Sequence, residues 1–281
     1  MSVIVPKLYG GDVLRFYQVL WGMLLDQRLA NFGGTATVLS GGDPRSGAPD
    51  ASTFTPRGAH TASWTWLQVP PASFTTPFDL KNPSSYQGVL PVMAFGSSNN
   101  AWGSDASYWS RDDSSGQGFS IVAWCNPVQN GSNQVILTKD DHVTQREWEF
   151  HIDSNSKLRL GLWDKIADVE VYRLASNALT FGTWVQLAAT YAGTGGGSAA
   201  NGITLYINGV AIGSSANNNQ SYVRMRDLAA GPVWGSQANG DYGPFVGQFA
   251  VGPAGPAFVQ AELTAAQIKR DYDLVRGFLG S

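Results

Sequence analysis

The sequence predicts an all-β sandwich. Six segments between residues 119 and 210 each hold five to nine residues rich in branched or aromatic side chains. Gly, Asn, Asp, Ser or Pro bounds every one of them. Within them apolar residues recur at every second position, the period of a strand whose successive side chains point to opposite faces. Many short strands of this kind, with turn signals between, pack as two facing sheets. Composition agrees: charged residues are 14% of the 281-residue chain, well under the usual proportion of about a quarter, and glycine is abundant.

In chain order, the first element is a helix over residues 12–30. Asp12 can cap its first turn. Val13, Leu14, Phe16, Tyr17, Val19, Leu20, Trp21, Met23, Leu24, Leu25 and Leu29 then cover most of its circumference. Arg15, Gln18, Gly22 and Asp26 leave one narrow polar stripe, and Gly33-Gly34 stops the helix. So apolar a helix must be covered. Either its own chain covers it, or Leu14, Phe16, Tyr17, Leu20, Trp21 and Leu24 form an assembly interface with a neighbouring protein or another copy. Residues 33–91 are punctuated by Gly41-Gly42-Asp43-Pro44, Pro70-Pro71 and Pro77 and read as an irregular arm with one or two strands. The expected division is therefore an anchoring or assembly segment over 1–88 and the sandwich over 89–281.

Residues 96–118 are expected to form a long polar loop. Loops of that length are usually functional. Asp105, Asp112 and Asp113 offer hard oxygen ligands for a structural calcium ion, but the loop lacks the spacing of a dedicated calcium cage, so turn capping competes with that reading. No other cofactor or metal is expected. The six core segments follow: 119–127, 135–139, 147–153, 157–163, 184–191 and 203–210. Phe119, Ile121, Ala123 and the lone Cys125 share one face, as do Leu158, Leu160 and Leu162. Val185, Leu187, Ala189 and Tyr191 form a third such set, and Ile203, Leu205 and Ile207 a fourth. In 147–153, Glu147, Glu149, His151 and Asp153 lie opposite Trp148, Phe150 and Ile152 and read as a polar outer face. Gly193–Ser198 lacks the Lys-Ser or Lys-Thr of a phosphate cradle and reads as a hairpin loop. At the end, Thr264 caps a packing helix with Ile268, Tyr272 and Val275 on one face and Gly277 as its stop.

These segments, taken in order, resemble a known family. Phe119–Trp124, Ile136–Lys139, Gly182–Tyr191 and Ile203–Gly209, with Pro256–Tyr272 at the end, are similar to the concanavalin A-like, or laminin G-like, jelly roll. The resemblance spans roughly residues 90–276, and it implies that Val89–Phe95 opens the sandwich as its first strand. Versions with a run like Tyr108–Asp113 before the first core strand occur in structural proteins of tailed bacteriophages. The resemblance implies a jelly-roll sandwich whose relatives include lectins, glucanases and scaffolds, and function must be argued from the site.

Catalysis finds little support in the residues. The glucanases of this fold carry Glu-x-Asp-x-x-Glu on one strand, and Glu147, Glu149 and Asp153 do not reproduce it. Three histidines on separate segments show no zinc spacing, and no Gly-x-Ser-x-Gly elbow occurs. Sugar binding is better served, because it needs aromatic faces beside a few amide, hydroxyl or carboxylate groups. Trp163, Gln186 and Tyr206 lie opposite their strands' core faces, and Trp234, Asn239, Asp241 and Tyr242 sit in a Gly-rich segment; cover by a loop or neighbouring subunit is the plainer reading of each.

The partners expected are other virion proteins, further copies of the chain and glycans. Nucleic acid is not expected, since a net charge of −3 has no basic block behind it. Nor is membrane, since no run reaches about 18 apolar residues. The start shows no signal-peptide pattern, which fits a protein made in the host cytoplasm and carried in a virion. The resulting expectation is a non-enzymatic virion structural protein, a capsid decoration or fibre-like surface component, with a lectin-like sandwich. The alternatives are a soluble carbohydrate-binding module and a divergent glycosidase.

Overall fold

A computed structural model describes residues 109–237, 242–250 and 257–279, and the backbone of four short strands before them, β1 (Leu39–Ser40), β2 (Thr53–Pro56), β3 (Val92–Phe95) and β4 (Ala101–Trp102). The strands that follow are β5 (Phe119–Pro127), β6 (Gln134–Asp140), β7 (Arg146–Ile152), β8 (Leu158–Asp164), β9 (Val169–Ala175), β10 (Val185–Tyr191) and β11 (Ile203–Ile207). Five shorter ones complete the set: β12 (Val210–Ala211), β13 (Ser214–Asn217), β14 (Val233–Trp234), β15 (Gly247–Ala250) and β16 (Ala257–Val259). One helix, α1 (Ala265–Leu279), closes the described chain. The helix expected over 12–30, with Leu14, Phe16, Tyr17, Leu20, Trp21 and Leu24, lies outside the described residues.

The strands form two antiparallel sheets. The larger runs β1-β2-β4-β14-β6-β7-β8-β9-β13, and the smaller runs β12-β11-β10-β5-β15-β3, with β16 also paired to β5. Their facing sides make one core. Phe119, Ile121, Ala123 and Cys125 of β5 meet Trp148, Phe150 and Ile152 of β7 and the three leucines of β8 there. Leu187, Ala189 and Tyr191 of β10 join them, so the alternation read from the sequence is the alternation of the core. Phe258 of β16 stacks on both Phe119 and Trp148, at 5.2 and 5.1 Å between ring centres, and those two rings themselves lie 5.9 Å apart. Burial pushes the Cys125 thiol far up, consistent with an inert packing role.

Several expectations are corrected. Residues 96–118 are not a plain loop, since β4 lies within them and pairs with β2 and β14. The β9 strand went unread because its alternation breaks. Val169, Val171 and Ala175 turn to the core side, but Arg173 stands in the same register and reaches Ser214 Oγ at 2.8 Å instead. The helix α1 runs past Gly277 to Leu279. Its start is as expected: Gln267 N donates to Thr264 Oγ1 and Thr264 N to Gln267 Oε1, a reciprocal cap.

The helix α1 packs on the outer side of the smaller sheet. Val122, Ala188, Tyr206, Val259, Leu263 and Ile268 form a second apolar cluster there, and Tyr272 stacks flat on Trp124 at 5.5 Å. The β11–β12 turn, Asn208-Gly209, has positive φ at both residues, as a tight hairpin requires. Gly209 also lies so close to α1 that a β-carbon would meet the Lys269 Cα at 3.1 Å.

Candidate functional site on the outer face of the larger sheet

The outer face of β7, β8 and β9 carries a dense group of charged and aromatic side chains. Its layout follows from register. Glu149 pairs with Gly161, which pairs with Tyr172; His151 pairs with Arg159; Trp163 pairs with Glu170. All seven residues therefore point away from the core that Leu158, Leu160 and Leu162 occupy. Glu149 and His151 form a buried floor, at 4% and 1% exposure, and the longer side chains around them are half-buried. The expected polar face of β7 is thus present but not solvated.

Gly161 at the centre has no side chain, and Glu170 fills its place. A β-carbon on Gly161 would lie 2.2 Å from Glu170 Oε1. Arg159 pairs with that carboxylate and lies over the Tyr172 ring, 3.8 Å from its centre. Arg146 repeats the device, pairing with Asp140 at 2.9 Å and covering Trp163 at 3.4 Å. Guanidinium against aromatic face is favourable because the cation meets the negative face of the ring. His151 Nδ1 stands 3.2 Å from Glu149 Oε1, close enough for attraction but without hydrogen-bond alignment.

Electrostatics divide the two carboxyls. Burial pushes Glu149 up, but His151, Arg159 and Arg146 outweigh it and hold the group below its ordinary range. Burial raises Glu170, with Arg159 opposing and Glu149 adding to the rise. Five buried polar atoms on this face have no hydrogen-bond partner: Glu149 Oε1, His151 Nδ1 and Nε2, Arg159 Nε and Trp163 Nε1. Folded proteins leave few such atoms, since each costs about 1–3 kcal/mol. Their gathering beside two aromatic rings is what a ligand site offers.

The acidic run on β7 does not assemble a catalytic group. Glu147 Oε1 takes the buried Lys139 ammonium, the Ser110 hydroxyl at 3.3 Å and the Leu228 amide at 2.8 Å. Asp153 accepts the amides of Asn155 and Lys157 in the turn beyond β7. Each carboxylate thus serves a different local structure.

Of the residues picked out for glycan contact, Trp163 lies in this site. Gln186 and Tyr206 do not: both are buried beneath α1, and Gln186 Nε2 donates to Asp271 at 2.7 Å. Their outward faces are covered by the chain's own helix, which removes them from the candidate site. Tyr242 is exposed; its hydroxyl accepts from Asn133 Nδ2 at 2.9 Å and its ring stacks on His142 at 4.2 Å. The Trp234 backbone pairs with Leu137 and Ala101, while Asn239 and Asp241 lie outside the described residues, as does Asp105. Asp112 accepts from Ser114 N and pairs with Arg224. Asp113 is buried under Tyr191, Tyr222 and the Met225 amide. Among the described residues no group of three or more His, Cys, Asp or Glu is placed to hold a metal ion. Sequence reasoning missed Arg146, Arg159, Glu170 and Tyr172, although pairing Lys157–Trp163 with Glu147–Asp153 would have set Arg159 beside His151.

Comparison with known proteins places the chain. Its structure is similar to the botulinum neurotoxin serotype G binding domain, at 13% identity over 66% of this chain and 42% of that one, with a TM-score of 0.47. It is similar to the binding domain of Paraclostridial Mosquitocidal Protein 1, at 12% identity over 78% and 47%, with a TM-score of 0.49. A third similar structure is the Ruminococcus gnavus IT-sialidase CBM40 bound to alpha2,3 sialyllactose, at 12% identity over 55% and 81%, with a TM-score of 0.43. The chain spans less than half the length of either toxin domain. No curated protein matches the sequence. The sequence profile of one family matches residues 100–251, more than half of the chain, so the protein belongs to the concanavalin A-like lectin/glucanase superfamily.

Proposed function

We propose that the protein is a non-enzymatic binding component whose lectin-like sandwich holds a glycan on the outer face of β7, β8 and β9. One observation carries this reading. Trp163 and Tyr172 present half-buried rings next to five buried polar atoms that have no partner. A sugar ring supplies an apolar side for the aromatics and hydroxyls for the polar atoms. Binding rather than hydrolysis is favoured because Glu147 and Asp153 are engaged elsewhere, so the acidic run on β7 brings no two carboxylates to one ligand. The test is a glycan array probed with the full chain and with Trp163→Ala and Arg159→Ala. Binding that falls at least tenfold in both variants supports the site; an array with no signal from the full chain defeats it.

The setting we propose is the surface of a virion, as a decoration or fibre-like component that meets other virion proteins and its own copies. Its support is the resemblance of Tyr108–Asp113 and the strands after it to phage structural proteins, together with the apolar residues 12–30. Light scattering of the full chain beside a Leu20→Asp/Leu24→Asp variant tests the assembly part. A defined oligomer that the variant dissolves supports it; two identical monomers count against it.

A further inference from the structure

We infer, resting on the glycan reading above, that the sheet-face site takes a sugar that is neutral or carries an ammonium group and turns away one that carries a carboxylate. Charge on this face is unevenly paired. Three carboxylates meet this patch, Asp140, Glu149 and Glu170, against two guanidiniums, Arg146 and Arg159. Each guanidinium already has a carboxylate partner and an aromatic ring beneath it. The remaining Arg159 Nε–H belongs to a cation whose charge Glu170 offsets. Glu149 is the carboxylate with no guanidinium of its own: its Oε1 has no aligned hydrogen bond and lies 3.2 Å from His151 Nδ1, so the face carries one net negative charge while that imidazole is neutral.

The unspent hydrogen-bonding capacity is therefore asymmetric. Glu149 Oε1 requires a donor, which a hydroxyl or an ammonium supplies and a carboxylate does not. Trp163 Nε1 requires an acceptor, and as an indole N–H it can do nothing else. An acceptor and a donor over one aromatic face fit adjacent hydroxyls, or a hydroxyl beside an amine. An acidic sugar would bring a second negative charge to a floor where Glu149 is already 4% exposed, and like charges at low exposure repel with little screening.

The experiment is titration calorimetry of the full chain with methyl glucoside, methyl glucosaminide, methyl glucuronide and sialyllactose. The glucoside and glucuronide differ at one carbon alone, a hydroxymethyl group in the first and a carboxylate in the second. We expect the neutral and amino sugars to bind at least about tenfold more tightly than either acid, one pKa-sized step in free energy. Glu149→Gln should remove most of that preference, and Trp163→Phe, which keeps a ring but loses the N–H, should weaken all sugars. Glucuronide binding as tightly as glucoside overturns this inference and leaves the glycan reading standing. Binding indifferent to both variants also overturns it, by moving the site elsewhere. No binding by any sugar overturns the glycan reading itself. A thermal melt on each variant separates a lost contact from a lost fold.

Discussion

The hydroxyl of Tyr191 donates to Asp113 Oδ2 at 2.7 Å, joining the end of β10 to a turn 78 residues earlier. Tyr222 donates to the same oxygen at 2.8 Å, and the Met225 amide to the other at 2.8 Å. One buried carboxylate thus fastens three segments. Burial pushes Asp113 up while the two tyrosine hydroxyls pull it back, and both hydroxyls are held far above their ordinary range. Asp113→Ala strands three buried donors, each worth about 1–3 kcal/mol when unsatisfied, so a loss of roughly 3 kcal/mol or more is expected in urea unfolding. Tyr222→Phe removes one donor and leaves the carboxylate two, and should cost only about 1 kcal/mol.

Asp140 predicts a pH dependence. It is fully buried and pushed up to about 6, chiefly by burial, with Arg146 opposing and Glu149 adding to the rise. The folded state therefore binds this proton more tightly than the unfolded chain. Its contribution to stability is complete below the unfolded pKa near 4 and is lost as pH rises through about 6. Wild type should show that decline in denaturant midpoints measured from pH 3.5 to 7, and Asp140→Asn should lack it. An unchanged slope in the variant would refute the assignment.

The buried pair of Lys139 and Glu147 predicts coupling. Both side chains are fully enclosed, and burial pushes Glu147 up to about 8 against the pull of Lys139. Removing one member leaves the other charge or dipole without its partner, typically at about 3–5 kcal/mol. Glu147→Gln and Lys139→Met should each destabilise by roughly that much, and the double variant by clearly less than their sum. An additive double variant would mean that the two groups are held by other partners.

How far the sequence carried can be seen strand by strand. Leu158, Leu160 and Leu162 announce their face because nothing interrupts the alternation. Val169–Ala175 hides because Arg173 takes a core-side register and Leu174 an outer one. The strands β13 to β16 hold two to four residues each, too few to show a period, and exist only because longer neighbours offer open edges. The site was legible in part. Trp163 follows from parity on its own strand, whereas Glu170 over Gly161 and Arg159 over Tyr172 need the cross-strand register, which no local pattern encodes. Gln186 and Tyr206 look outward by the same parity, yet a helix 60 or more residues later covers them.

That cover supplies the next prediction. Tyr272 lies parallel to Trp124 within 6°, and the indole is fully buried. Stacked aromatic pairs contribute about 0.5–1.5 kcal/mol beyond their buried area. Tyr272→Ala should lower stability by roughly 2 kcal/mol once the lost area is included and shift tryptophan emission to the red as Trp124 meets water. A loss of stability with no spectral shift would show that α1 stays seated without the stack.

Gly161→Ala distinguishes the site from the scaffold that holds it. In a strand, alanine is no worse than glycine for the backbone and usually stabilises by about 0.4–1 kcal/mol through the unfolded chain. The added methyl, however, would stand 2.2 Å from Glu170 Oε1, so that carboxylate must move. Glu170 is the far end of a flexible side chain, which makes the move cheap for the fold. It is not cheap for the patch, because Arg159 loses its carboxylate partner and with it the hold that keeps the guanidinium over Tyr172. The expected result is a melting temperature unchanged or slightly raised and sugar affinity reduced at least tenfold. Affinity retained at full strength would mean that Glu170 and Arg159 do not shape the bound ligand's surroundings. A large drop in melting temperature would mean instead that the pair belongs to the fold's own support.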